Sequence, residues 1–268
     1  MIVVKIGGSE GVGAGAVCTD IAGAVKAGTR VVLVHGGSHE STVIGEKLGH
    51  PPRFVTSVSG HSSRYTDRET MEILTMVMGG RINKLLVERL QQLGVDAVGL
   101  SGVDGRLLEA SRKSTLRVVE NGKRLVLRGE YSGRIERVNA SLLRMLLDAG
   151  HTPVVAPFGV SLAHELVNID GDRAAAAIGA ALGAETVVIL SNVPGLLREV
   201  DDPDSVITHV PVDRAEEALA EVAKGRMKRK VLGAIEAVRA GVERVVLADG
   251  RIPRPLERAL AGKGTVVR

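Results

Sequence analysis

Aromatic residues are almost missing from this chain: Phe54, Tyr65, Tyr131 and Phe158 are the whole set, and there is no tryptophan. So few ring faces leave no platform for stacking bases, and nucleic acid is therefore not expected as a partner. Cysteine is scarcer still. With Cys18 alone, no internal disulfide and no cysteine-built zinc site can form, which points to a reducing compartment, the cytoplasm. No run of 18 apolar residues occurs, and the opening residues, MIVVKIGG, read as a buried strand rather than a basic and then apolar leader. Neither membrane spanning nor secretion is expected. Charge of one sign is not in great excess either: 35 basic residues face 31 acidic ones, for a net +4.

What the chain has in quantity is apolar and small. Of its 268 residues 44% are hydrophobic, enough to bury a full core, and 33 are glycine, which lets backbone N–H groups come close to an anion. Short Val/Ile/Leu runs over Ile2–Ile6, Arg30–Val34, Ala97–Leu100, Pro153–Ala156, Thr186–Leu190 and Arg244–Ala248 read as strands buried on both faces of a parallel sheet. Helical patterns lie between them, over Ala14–Ala27, His39–Leu48, Asp67–Leu93, Val138–Ala149, Asp172–Leu182, Val212–Ala223 and Met227–Ala240. The expected class is α/β: a three-layer sandwich with a mainly parallel central sheet flanked by helices. Arg106–Arg137 breaks the alternation. Its segments Leu107–Ala110, Thr115–Glu120 and Lys123–Arg128, with Asn121-Gly122 between the last two, predict β-hairpins projecting from the sheet.

Several strands run straight into glycine or small polar turns: VVKIGGSEG, VLVHGGSHE, VGLSGVDG and VILSNVPGL. In an open α/β sheet such turns gather beyond the carboxyl ends of the strands, where helix N-termini carry partial positive charge, so the set predicts an anion site. No P-loop and no G-x-S-x-G elbow is present, and the nearest dinucleotide pattern, Gly11 to Ala16, begins well past its strand. His35 and His39 have no further ligand candidate nearby and read as turn and helix residues, so no metal site is expected. Lys5 sits in an apolar strand just before Gly7-Gly8, where a lysine is costly unless an anion meets it. Asp170 and Asp172 stand at the start of an Ala-rich helix, as caps or as site residues. Gly225 to Lys230 places four basic side chains at another helix start, where the helix dipole disfavours them unless an anion is bound.

These blocks, Lys5-x-Gly7-Gly8, His35-Gly36-Gly37-Ser38, Ser63-Arg64-Tyr65-Thr66-Asp67, Asn168-x-Asp170-x-Asp172, Ser191-Asn192-Val193-Pro194-Gly195-Leu196 and Met227-x-x-Lys230, occur in the order seen in amino-acid kinases. Over essentially its whole length the chain resembles the acetylglutamate kinase family, and within it the LysZ-type branch of [LysW]-aminoadipate kinases. The resemblance implies one kinase domain over 1–268, with an acceptor- and carrier-binding lobe over about 1–166 and an ATP-binding lobe over about 167–268. It implies that Lys5 and Lys230 contact the transferring phosphoryl group and that Asp172 orients them. Gly7 and Gly8 then offer amides to the phosphates, and Gly36, Gly37 and Ser38 cradle the reacting carboxylate. Arg64 and Asn168 hold the far end of the amino acid, and Ser191, Asn192 and Gly195 belong to the nucleotide block. ATP and Mg²⁺ are the implied cofactors.

Ser38, Asp170 and Asn192 stand where acetylglutamate kinases usually have Gly, Asn and Asp, which argues against a free acetylated substrate. The implied acceptor is aminoadipate, or also glutamate, joined to a small acidic LysW-type carrier protein. N-acetylglutamate kinase and a non-catalytic amino-acid sensor on the same fold are the alternatives. The hairpin region bears on the choice, because residues 106–137 hold nine basic and four acidic side chains, more net charge than the whole chain. A free dicarboxylate needs only a pocket, whereas an acidic carrier is steered by a basic surface, here Arg112, Lys113 and Arg117. A homodimer is expected through the helix over Asp67–Leu93, whose Met71, Leu74, Met78, Ile82 and Leu85 recur at helical spacing, with Gly79-Gly80 admitting a partner helix.

Overall fold

The computed structural model describes every residue except Glu10, Ser59, His61, Asn121, Val200 and 214–224, and gives no side-chain placement for 225–226 and 228–229. The helix expected over Val212–Ala223 therefore lies almost wholly outside the described residues, as does Asn121 of the hairpin turn.

The predicted strands form the centre. β1 (Ile2–Ile6), β2 (Val31–His35), β5 (Ala97–Ser101), β10 (Thr152–Ala156), β13 (Thr186–Ser191) and β15 (Arg244–Asp249) join β14 (His209–Val210) and β16 (Thr265–Val267) in one eight-stranded sheet. Its order is β14-β16-β15-β13-β1-β2-β10-β5, and every pairing is parallel except β15 with β16. The strand period of two sorts the β1 side chains. Ile2, Val4 and Ile6 pack with α1 (Ala14–Lys26), α4 (Asn83–Gln92) and α8 (Pro255–Leu260). Val3 faces the other way, onto α5 (Ala140–Asp148), α6 (Gly171–Leu182) and α7 (Gly225–Arg239). Lys5 shares the side of Val3, so an apolar strand delivers one ammonium group to the start of α6.

The chain leaves β1 toward β2 on one side and returns as β13 on the other, so strand order reverses at β1. A crevice opens beyond the carboxyl ends of the strands at such a reversal. α6 starts there, capped by Asp170, whose carboxylate accepts from the Asp172 and Arg173 N–H groups at 3.0 Å each, and it ends at Gly183 in the left-handed conformation.

The excursion is larger than expected. β7 (Thr115–Glu120) and β8 (Lys123–Arg128) form the predicted hairpin, with Glu120 opposite Lys123 and Gly122 at φ +74°. β6 (Leu108–Arg112) is not part of it: it pairs with β9 (Gly133–Val138) and β11 (Phe158–Ser161) in a sheet ordered β12-β11-β6-β9, where β12 is Leu166–Asn168. The hairpin instead extends β3 (Phe54–Ser57) and β4 (Ser62–Arg64) into a second small sheet. β3, β4, β11 and β12 lack long apolar runs and were not expected; tertiary pairing makes them strands.

The expected long helix is also modified. After α3 (Arg68–Leu74), capped by the Asp67 carboxylate on Thr70 N–H at 2.8 Å, Thr75–Ile82 takes π-helical geometry before α4 begins. Met71, Leu74 and Met78 are buried with Phe158, and a Cβ on Gly79 would lie 3.0 Å from that ring. Met71, Leu74 and Met78 of the apolar stripe are thus intramolecular core, which leaves Leu85 and Gly80 as the exposed part of the face expected to meet a partner helix. Met76 and Leu85 are the large apolar side chains of this stretch that stay exposed.

Candidate active site

At the crevice two glycine turns touch. Gly36 N–H donates to Ile6 O at 2.8 Å and His39 N–H to Gly8 O at 2.9 Å. The approach is so close that a Cβ on Gly8 would stand 2.3 Å from Gly37 N, and one on Gly36 2.4 Å from Gly8 N. Gly37 is as constrained on its other side, where a Cβ would meet Met78 Cγ at 2.6 Å. The π-helical segment is therefore what the Gly36-Gly37 turn rests on.

His35, buried with 1% exposure, supports the same turn. Its Nδ1 lies 3.0 Å from Gly36 O and its Nε2 3.3 Å from Asn83 Nδ2, a pattern satisfied by the neutral ring with its proton on Nδ1. Burial pushes its pKa down to about 4, against a partial upward pull from Gly36 O, and Lys5 lowers it further. An unfolded histidine titrates near 6.5, so the contribution of the neutral ring is complete above that value and lost as pH falls toward 4. On the order of 3 kcal/mol is involved. Between pH 7 and pH 5 the urea midpoint of the wild type is expected to fall more steeply than that of His35→Gln; parallel slopes would refute this role.

The charged centre is a triad. Lys5 Nζ is 2.6 Å from Asp172 Oδ1, and Lys230 Nζ, from the second turn of α7, is 2.6 Å from Oδ2. The side chains are 8%, 15% and 19% exposed for Lys5, Asp172 and Lys230, so the group lies out of bulk water and carries a net +1. Burial pushes the Asp172 carboxyl up, but the ammonium groups of Lys5 and Lys230 outweigh it and hold the pKa far below the usual carboxylate range. The lysine that the sequence left needing an anion has a carboxylate inside the chain. The excess charge, beside the α6 N-terminus, remains for a further anion.

A cleft of about 960 Å³ leads away from the triad. Gly36, Gly37, Ser38, Arg64 and Asn168 all line it, so the structure brings together the residues expected to meet the acceptor, and Gly8, expected to meet the phosphates, lines it with them. Arg64 stands over the Phe54 ring, 5.2 Å from its centroid, and donates through Nη2 to Ser38 O and Thr42 Oγ1 at 3.0 and 2.8 Å. Asn168 Nδ2 donates to Thr66 Oγ1 at 3.2 Å. Leu116 and Val58 give the outer wall an apolar element, and Lys113 and Arg117, both exposed, line the same cleft.

Three expectations change. Gly7 N–H donates to Leu190 O at 2.8 Å, so this amide is taken up in extending the sheet and is not free for a phosphate. Arg112 is not a free surface charge: it pairs with Glu165 at 2.6 Å, donates to Glu130 O at 2.9 Å and lies 3.5 Å from the Tyr131 ring centroid. Arg106 and Arg137 are likewise not free, since both pair with Glu109. In the nucleotide block, Ser191 is buried beside Gly7 and Asn192 is exposed at the end of β13. Gly195, at φ +158°, is packed away against Thr265, whose Oγ1 a Cβ would approach to 2.7 Å.

Gly250 was missed. It donates to Ser191 O at 2.7 Å and accepts from Gly13 N–H at 3.2 Å, tying the ends of β13 and β15 to the turn after β1. The signal was there, because VVLADG is another apolar strand running into glycine. Among the described residues no group of three or more His, Cys, Asp or Glu side chains could hold a metal, and no helix is long and apolar enough to cross a membrane.

The model of the Amino acid kinase family matches residues 1–249. A [LysW]-aminoadipate kinase of Deinococcus radiodurans is 55% identical over 267 residues, covering all of this chain and 91% of its own length. The [LysW]-aminoadipate kinase of Thermus thermophilus is 54% identical over 270 residues, with both chains covered in full. Among solved structures, N-acetylglutamate synthase from Neisseria gonorrhoeae, complexed with coenzyme A and N-acetyl-glutamate, superposes with a TM-score of 0.79 at 25% identity. That match spans 99% of this chain and 58% of the synthase. With a family model matched over most of the sequence and relatives this similar from end to end, the chain belongs to the amino acid kinase family.

Proposed function

We propose that the chain transfers the γ-phosphoryl group of ATP to the side-chain carboxylate of aminoadipate carried on LysW, giving an acyl phosphate for lysine biosynthesis. The observation that carries this reading is the buried, net-positive Lys5–Asp172–Lys230 group beside a cleft that Arg64 and Asn168 also line. It is supported by full-length relatives of the same name at more than half identity.

The chemistry suits these residue types. A carboxylate acceptor is already ionised at neutral pH, so no general base is required. An acceptor oxygen forms the new P–O bond as the bond from the γ-phosphorus to the bridging oxygen breaks, and the electron pair leaves with ADP. What the protein must supply is alignment of two anions and neutralisation of the charge between them. Lys5 and Lys230 provide the charge, and Asp172 keeps the two ammonium groups apart and aimed. The Gly8 and Gly36-Gly37 backbone, with Ser38, brings the acceptor carboxylate alongside. Asp172 is engaged by both lysines and Asp170 by the first turn of α6, so the fitting role for Mg²⁺ is to arrive on the nucleotide phosphates, screening their charge.

In this reading the lobe over about 1–166 takes the acceptor and carrier and the one over about 167–268 takes ATP. A homodimer, a cytoplasmic location and the absence of a nucleic-acid partner belong to the same proposal. ADP release measured side by side with LysW-linked aminoadipate, LysW-linked glutamate and free N-acetylglutamate tests it; preference for the free compound would assign N-acetylglutamate kinase instead.

Lys113 and Arg117 are the cations of the hairpin region that face the cleft and stay exposed. Lys113→Glu with Arg117→Glu is expected to raise the KM for carrier-linked substrate about tenfold, more at low salt than at high, with the KM for ATP unchanged. An effect independent of salt would remove the carrier-steering role. Arg112 is left out of this pair because reversing a charge paired with Glu165 would disturb the fold.

A further inference from the structure

Glu130 is a carboxylate in an unexpected place. It is 1% exposed, yet among the described residues no ion pair meets it; its oxygens accept from main-chain N–H groups instead, Oε1 from Ser132 at 3.0 Å and Oε2 from Thr66 at 3.3 Å. A buried charge is costly, and backbone donors compensate it only in a fixed geometry. The segments it joins carry Arg64, Ser132 and Asn168, which line the cleft. Thr66 follows Arg64 by two residues, and its hydroxyl donates to Arg64 O at 3.4 Å while accepting from the Asn168 side-chain amide at 3.2 Å. The main chain repeats the connection: Tyr131 N–H donates to Thr66 O at 2.7 Å, and Asn168 N–H donates to Tyr131 O at 2.8 Å.

We propose that Glu130 is a positioning residue for the acceptor: by clamping Thr66 to Ser132 it sets the spacing between Arg64 and Asn168, and with it the grip on the far end of the acceptor. This rests on the function proposed above. Glu130 neither touches the triad nor lines the cleft itself, whereas Ser132, which it holds, does line the cleft, so it acts through the residues it holds. A carboxylate is needed because both partners are donors. The amide of a glutamine can accept at one oxygen only and turns N–H toward the second N–H.

The proposal separates the two substrates. Glu130→Gln is expected to raise the KM for the acceptor about tenfold, with kcat and the KM for ATP within about twofold of wild type. Thr66→Val keeps the Glu130 bond to the main chain but removes the hydroxyl bridge, and is expected to act in the same direction. Combined, the two changes should cost less than the product of their separate effects, since they break one chain of contacts. A rise in both KM values together, a fall in kcat alone, or an unchanged acceptor KM in folded Glu130→Gln would overturn the role. If Glu130→Gln does not fold, Glu130→Asp, which keeps a carboxylate but is too short to reach both N–H groups, is read by the same criterion. The acceptor used is whichever one the wild type phosphorylates, so wild-type inactivity on LysW-linked aminoadipate counts against the proposed function, while the variants still report on Glu130.

Discussion

Lys5→Ala, Lys230→Ala and Asp172→Ala should each lower kcat by about a hundredfold or more, the usual scale for removing one preorganised charge from the reacting centre. The three differ in what else they do. Lys230 stands in the second turn of α7 with 19% of its side chain exposed, and its loss leaves Asp172 paired with Lys5, so the melting temperature should hardly move. Asp172→Ala strands Lys5, 7% exposed within the sheet, without a counter-charge, which costs about 3–5 kcal/mol of stability. Single-turnover phosphoryl transfer and thermal unfolding, measured on the same preparations, separate the two consequences. Near-normal turnover in any two of the variants would show that the triad is not the reacting centre.

Gly8→Ala and Gly15→Ala should have opposite outcomes, although both add one methyl group to a glycine of the same turn-and-helix segment. The Gly8 methyl would lie 2.3 Å from Gly37 N and 2.8 Å from both Gly36 C and Ser38 N. These are backbone atoms that cannot rotate away, so the two turns must part. Overpacking of this kind costs about 1–3 kcal/mol, and displacing catalytic backbone by about 1 Å costs about a hundredfold in rate. At Gly15, in the first turn of α1, nothing lies within 4 Å of the added carbon, and Ala there should gain about 0.5–1 kcal/mol through helix propensity with activity intact. A fully active Gly8→Ala enzyme would mean that the turns tolerate separation and that their contact is not part of the site.

Both expectations turn on details that were unequally legible in the amino-acid sequence. Lys5 was conspicuous because an apolar strand seldom carries a lysine, and its alternation with Val3 and Val4 already placed it on one face. That Asp172 is its partner could be suggested by resemblance but not by spacing, because 167 positions separate them and only the return of the chain as α6 brings them to 2.6 Å. The Gly7-Gly8 and Gly36-Gly37 pairs announced turns, but the close contact between the turns depends on the parallel pairing of β1 with β2. Once that pairing is made, the two glycines read from the same motif part company: Gly8 lines the cleft and Gly7 donates into the sheet.

Arg112 and the long helix show the opposite limit. Counting charges over residues 106–137 indicated a basic surface, yet a count cannot tell an exposed Lys113 from an Arg112 neutralised by Glu165 on a distant strand connection. Helical spacing found the stripe of Met71, Leu74 and Met78, but spacing has the same form whether the stripe meets a second copy or, as here, Phe158 of the same chain.

From its own order, then, the sequence determined the α/β class, the six main strands, the glycine turns that end them and the expectation of an anion beyond those turns. These depend on local patterns, the two-residue period of a strand, the apolar runs of a parallel sheet and the backbone freedom of glycine, all written within a few residues of one another. Tertiary structure alone decided which charges meet, which amides are already used, which basic residues remain free, and that Glu130 lies buried between the segments carrying Arg64 and Asn168. The reason is physical: contact between residues far apart in sequence follows from the packing of whole elements, and burial, which gives a charge or a hydrogen bond its strength, is a property of the folded surroundings rather than of the residue.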